Sequence, residues 1–168
     1  MDPHLSRLQS EISSAIQQLS PEQLSRSRPG KWSIAQILEH LFLTYTGTTK
    51  GLGHVLAEGH SLATKATWKH RASTFIVITL GHMLEGRKSP AVALPRGIPA
   101  EKIAADIVPA IGTMNEAMNQ VVSTLGERTP VMDHPVLGPL SVQQWRKFHL
   151  VHGLHHVGQI QKLRHSAN

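Results

Sequence analysis

The sequence predicts an all-α protein: a four-helix bundle with an extra helical segment between the second and third main helices. Three observations predict it. Four long stretches carry apolar residues at the spacing of one helix face. Pro- and Gly-rich connectors separate them, and two of the four open on a Ser-x-x-Gln start pattern. With 168 residues, 40% of them apolar, the chain is long enough for one core and reads as a single domain over 1–168. No internal repeat or low-complexity tract divides it.

The first helix is expected over 4–19, where Leu5, Leu8, Ile12, Ala15, Ile16 and Leu19 recur at near-helical spacing. Ser20-Pro21-Glu22-Gln23 then carries a start signature but leads only to a short turn, because Arg28-Pro29-Gly30 breaks the chain. Ser33 with Gln36 opens the second main helix, whose stripe is Ile34, Ile37, Leu38, Leu41 and Phe42. Gly47, Gly51 and Gly53 weaken its far end or let a neighbour pack close. Residues 67–86 read as the extra helical segment, around Phe75, Ile76, Ile78, Leu80, Met83 and Leu84. A connector over 88–99 follows, long for a bundle loop and therefore a candidate cover for a site. The third main helix runs from Pro99 to about Gly126, with Met114 and Met118 as ordinary core. Residues 129–139 read as a Pro/Gly connector in which Asp133 and His134 are weak site candidates. Ser141 and Gln144 open the last helix.

That last helix carries the chemistry. Four of the chain's 12 histidines fall within residues 148–160. On a helix His152 and His156, four apart, share a face with Cβ atoms about 5–6 Å from each other. Two imidazoles so placed can reach one ion through bonds of about 2.0–2.1 Å. His149 lies one turn earlier on the same stripe, as a third ligand or a group bonding one, whereas His155 is rotated about 100° away from His156. A lone histidine on a helix face is more often a hydrogen-bonded core or surface residue, and two ligands do not make a tight site. His40 supplies the candidate third, since it sits among Ile37, Leu41 and Leu43 and a buried imidazole needs a partner. His54 shares nearly the same face but lies about 21 Å further along, too far to join it. His70 and His82 have no partner spacing and read as structural or solvent-facing.

Composition excludes several alternatives. With no cysteine, the chain has no disulfide, thiolate ligand or cysteine nucleophile. The N-terminus turns polar at once, and the apolar run 75–80 is far too short to span a bilayer, so a cytoplasmic protein without a membrane segment is expected. The net charge of +6 is spread over separated residues, among them Arg26, Arg28, Lys31, Arg87, Lys88, Arg146 and Lys147. Without basic runs interleaved with aromatics, solvated charge explains it better than nucleic-acid binding.

Two motifs carry a family resemblance. Trp32-Ser33-Ile34-Ala35-Gln36-Ile37-Leu38-Glu39-His40-Leu41 resembles the second-helix motif of the DinB/YfiT-like metal-binding proteins, and His152-Gly153-Leu154-His155-His156-Val157-Gly158-Gln159-Ile160 resembles their last-helix motif. Residues 61–98 match nothing in that pattern. The resemblance implies a four-helix bundle, often dimeric, with nickel or zinc held at His40, His152 and His156. It also implies thiol-dependent S-transfer with a low-molecular-weight thiol as co-substrate, or a mycothiol-dependent isomerisation.

The expectation is a metal-dependent transferase or hydrolase acting on small molecules, with Tyr45, His149 and Gln159 as candidates for proton transfer or for orienting a ligand. Glu39, about 100° around the helix from His40, is expected to point elsewhere. The alternatives are a metal-binding helical module without turnover and a basic nucleic-acid-binding protein.

Overall fold

The computed structural model describes residues 1–83 and 89–165. Among these the protein is mostly helical, with six α-helices and one two-stranded sheet. The helices are α1 (Pro3–Ile16), α2 (Pro21–Ser25), α3 (Ile34–Glu58), α4 (Trp68–Thr74), α5 (Ala100–Leu125) and α6 (Val142–His165). The strands β1 (Pro130–His134) and β2 (Gly138–Ser141) precede α6. No helix among the described residues is long and apolar enough to cross a membrane.

Local chemistry sets most helix starts. The Ser33 hydroxyl accepts from the Gln36 amide at 3.2 Å while the Gln36 side chain accepts from the Ser33 amide at 2.9 Å, so α3 begins where the pattern places it. Ser20 with Gln23 and Ser141 with Gln144 make the same reciprocal bonds. Asp2 caps α1 through the His4 amide. Gly59, at φ +69°, ends α3 in the left-handed conformation that costs glycine least.

The long helices meet along their apolar stripes: α1 packs on α6 and α3 on α5. Leu5, Leu8 and Ile12 of α1, Leu38, Leu41 and Leu52 of α3, and Ile103, Ile107, Ile111, Met114 and Met118 of α5 are all inaccessible to solvent. Gly153 lets α6 approach closely, since a Cβ there would sit 2.1 Å from Leu8 Cδ1. Gly51 does the same for the Met132 sulfur, while Gly47 and Gly53 face open space.

Three expectations are corrected. The predicted helix over 67–86 is α-helical only to Thr74, after which Phe75–Thr79 forms a wider turn with Leu80 N–H donating to the Phe75 carbonyl five residues back. Gly81, at φ +67°, then takes the chain out of helix, and residues 84–86 lie outside those described. The predicted connector over 129–139 is largely a β-hairpin, with Asp133 opposite Pro139 and His134 opposite Gly138. Arg146 is not solvated charge. It is buried, with its guanidinium 2.7 Å from the Glu127 carboxylate and from the Asn119 side-chain oxygen and 3.6 Å from Asp2, and so ties α6 to α5 and the N-terminus.

Candidate metal centre

The cap at Ser33 fixes the phase of α3, and with it the inward aim of His40 two turns later. The cap at Ser141 likewise sets the phase of α6 and turns His149, His152 and His156 toward the core. The result is convergence of three buried imidazoles, none more than 8% exposed. His152 Nε2 lies 3.2 Å from His40 Nε2 and 3.1 Å from His156 Nε2, and all three donor atoms fall within 4.8 Å of one another. Two nitrogens each about 2.0–2.1 Å from a tetrahedral ion would be about 3.3–3.4 Å apart, so the two distances to His152 are close to what a shared ion requires.

Hydrogen bonds decide which ring nitrogens are available. His40 Nδ1 is 2.8 Å from the Ala93 carbonyl, which only accepts, so Nδ1 carries the proton and Nε2 the lone pair. His156 Nδ1 donates to the Gln159 side-chain oxygen at 2.9 Å, and the Gln159 amide nitrogen donates to His155 Nε2 at 3.1 Å. His156 Nε2 therefore also offers a lone pair. His152 stands between these two bare nitrogens, with its own Nδ1 buried and lacking a hydrogen-bond partner among the described residues. A neutral His152 can bring at most one proton to three crowded Nε2 atoms, whereas a cation among them would take all three lone pairs. This donor set fits a divalent metal ion.

The surroundings favour neutral, ligating imidazoles. Burial lowers the pKa of His40, opposed by its bond to Ala93. Burial, reinforced by neighbouring histidines led by His156, takes His152 well below its ordinary value. Burial, with help from His40, lowers His156 to about 4. The Trp32 indole packs on His40 with ring centres 5.4 Å apart, and the Phe148 ring stacks on His152 at 5.3 Å with planes 9° apart.

Of the three residues sought for proton transfer or orientation, only Gln159 bonds a member of the triad. His149 is fully buried deeper in the protein, where its Nε2 lies 3.1 Å from the Thr48 hydroxyl and burial lowers its pKa to about 3. Tyr45 is fully buried beside His149, its hydroxyl without a partner among the described residues and its pKa raised by burial, so it stays protonated. Asp133 and His134 are structural. The Asp133 carboxylate accepts from the Thr64 amide and hydroxyl, and His134 Nδ1 accepts from the amides of Val136 and Leu137 across the hairpin turn. His70 caps α4 and fills the space over Gly138, His54 is exposed, and neither reaches the triad.

Sequence reasoning marked the long connector over 88–99 as a candidate cover for a site but missed how it is anchored to Glu39 and His40. Glu39 does point away from the triad, but its carboxylate accepts from the amides of Arg96, Gly97 and Ile98 at 2.6, 3.0 and 3.1 Å. Ala93 of the same loop accepts from His40. A glutamate set among the apolar residues Ile37, Leu38 and Leu41, and an unusually long connector, were the available signals.

Fold and site together define a mostly helical protein with a buried three-histidine cluster that could hold a metal ion. The chain belongs to the family described as "Protein of unknown function (DUF1569)", which matches residues 4–163. No match to the DinB/YfiT-like family is found, which overturns the resemblance drawn from the two helix motifs. Those motifs are short and consist mainly of a cap, an apolar stripe and histidines four apart. No curated protein and no solved structure matches the chain.

Proposed function

We propose that the protein is a metal-dependent enzyme that uses a divalent ion at His40, His152 and His156 to transform a small-molecule substrate by hydrolysis or group transfer. One observation carries this reading: His40 and His156 each commit Nδ1 to a fixed acceptor, leaving Nε2 lone pairs that converge on His152. Three protein ligands is the number found in catalytic zinc sites, which keep a position open. We read the four long helices as a bundle, an architecture in which such sites form from side chains on facing helices. A bound ion would supply Lewis acidity, which can polarise a carbonyl or phosphoryl oxygen or activate water near neutral pH. Nickel and zinc both suit imidazole nitrogen, and the donor set does not choose between them.

The chain's own residues supply orientation and surroundings. Gln159 holds the His156 ring, Ala93 holds the His40 ring, and Phe148 and Trp32 flank the cluster with apolar surface. A shallow surface groove lined by residues including Arg28, Lys31, Trp32 and Gln36 shares Trp32 with the surroundings of His40, but none of the three histidines lines it. The thiol co-substrate rested on the family resemblance and leaves with it.

The test is turnover of a panel of activated carboxylic and phosphoric esters by protein loaded with nickel or zinc, beside His40→Ala. The reading predicts hydrolysis that requires the metal and falls at least about a hundredfold in the variant, the scale of losing a principal electrostatic contributor. Tight metal binding with no turnover on any ester would favour a metal-binding module without catalysis.

A further inference from the structure

We propose that Glu39 is a positioning residue for the metal centre, acting through the loop over residues 91–98 to hold the His40 ring and its tautomer. Glu39 and His40 are consecutive on α3, and they grip one loop at two points. The Glu39 carboxylate is 1% exposed and accepts three successive backbone N–H groups, from Arg96, Gly97 and Ile98. Three residues earlier, the Ala93 carbonyl accepts the His40 Nδ1 proton at 2.8 Å. The loop curls around the carboxylate at Gly97, whose φ of +93° suits a residue without a Cβ.

The physical consequence is a relay of fixed geometry. Acceptance of three donors by an ionised carboxylate is a strong local tie, because charge-assisted bonds are about twice as strong as neutral ones. Once that tie is lost, the loop is no longer held with the Ala93 carbonyl against His40. The imidazole can then place its proton on either nitrogen, and in the Nε2–H form the nitrogen facing His152 has no lone pair for a metal. Groups that orient a ligating histidine typically alter metal affinity by about 10–100-fold when removed. Glu39 stands one step further out, since it holds the loop that holds the ring.

The experiment uses Glu39→Gln, which keeps the side-chain volume but replaces one accepting oxygen with an NH₂ facing backbone donors. In metal-free protein, ¹⁵N NMR of the imidazoles should show wild-type His40 protonated at Nδ1 and a mixture of tautomers in the variant. The Gln159-bonded His156 ring should keep its Nδ1 proton in both. Amide hydrogen exchange at residues 96–98 should accelerate in the variant, while amides in α1 and α6 keep their protection. Zinc affinity, measured by competition with a chelating dye, should weaken about 10–100-fold. An unchanged His40 tautomer and unchanged exchange at 96–98 would overturn the proposal, as would unchanged zinc affinity. Only the affinity arm rests on the metal reading. If wild-type protein binds no zinc, the metal reading and the role of Glu39 in affinity both fail, while the metal-free spectra still decide whether Glu39 holds the ring.

Discussion

His149 makes the protein acid-sensitive in a way that can be worked out from the structure. Its ring is fully buried, and burial, helped by the nearby His134, lowers its pKa to about 3 from the 6.5 of a free imidazole. The unfolded chain therefore binds a proton at this residue between about pH 6.5 and pH 3 that the folded chain does not. Stability is complete above the unfolded value and is lost as pH falls through that window. At pH 5 the unfolded state gains about 1.5 pKa units of protonation, which is about 2 kcal/mol per residue. His134, lowered by burial to about 4, contributes about the same at pH 5, so the two together remove about 4 kcal/mol. That is a large share of the about 5–15 kcal/mol that holds a typical domain folded. Urea denaturation of metal-free protein at pH 8 and pH 5 measures the total loss, to which the lowered pKa values of His40, His152 and His156 also contribute, so the share of His149 is read from a variant. His149→Gln lowers stability at both pH values, but its decrease between them should be smaller than that of wild type by about 2 kcal/mol. Equal decreases in wild type and variant would refute the assignment of His149 as a neutral, buried imidazole.

Two further substitutions probe the packing behind the site. Gly153→Ala would drive a Cβ into Leu8 Cδ1 at 2.1 Å and bring it 3.3 Å from the Tyr45 hydroxyl, so the α1–α6 contact must shift. Thermal melts should show a loss of about 1–3 kcal/mol, the usual cost of overpacking a core. Tyr45→Phe should leave stability unchanged or raise it by up to about 1–2 kcal/mol, because the hydroxyl is buried without a partner among the described residues. A loss above that scale would mean that the hydroxyl makes a bond of real strength.

Much of the site could be read from local pattern because local pattern sets it. Reciprocal Ser–Gln capping at residues 33 and 36 and at 141 and 144 depends on residues three apart, and both boxes form. The i, i+4 spacing of His152 and His156 belongs to the helix itself, and His40 was marked by its apolar neighbours. The parts that could not be read depend on which distant segment arrives. The loop that meets Glu39 and His40 lies more than fifty residues downstream, at Ala93 and residues 96–98. Arg146 looked like surface charge because its partners, Glu127, Asn119 and Asp2, come from other parts of the chain. The hairpin was hidden because its Pro- and Gly-rich strands carry little alternation. The wide turn after Thr74 replaces a helix whose apolar spacing could not reveal where it would end. The family resemblance failed for a related reason: a cap, a stripe and paired histidines describe a geometric solution rather than an ancestry.

The most direct measurement is the metal content of protein purified without a His-tag or metal column, for wild type and His156→Ala. The convergence of His40, His152 and His156 predicts about one nickel or zinc ion per wild-type chain and essentially none in the variant, which keeps only two ligands. Absence of metal from wild type, even after reconstitution with either ion, would contradict the metal centre, as would equal content in the two proteins.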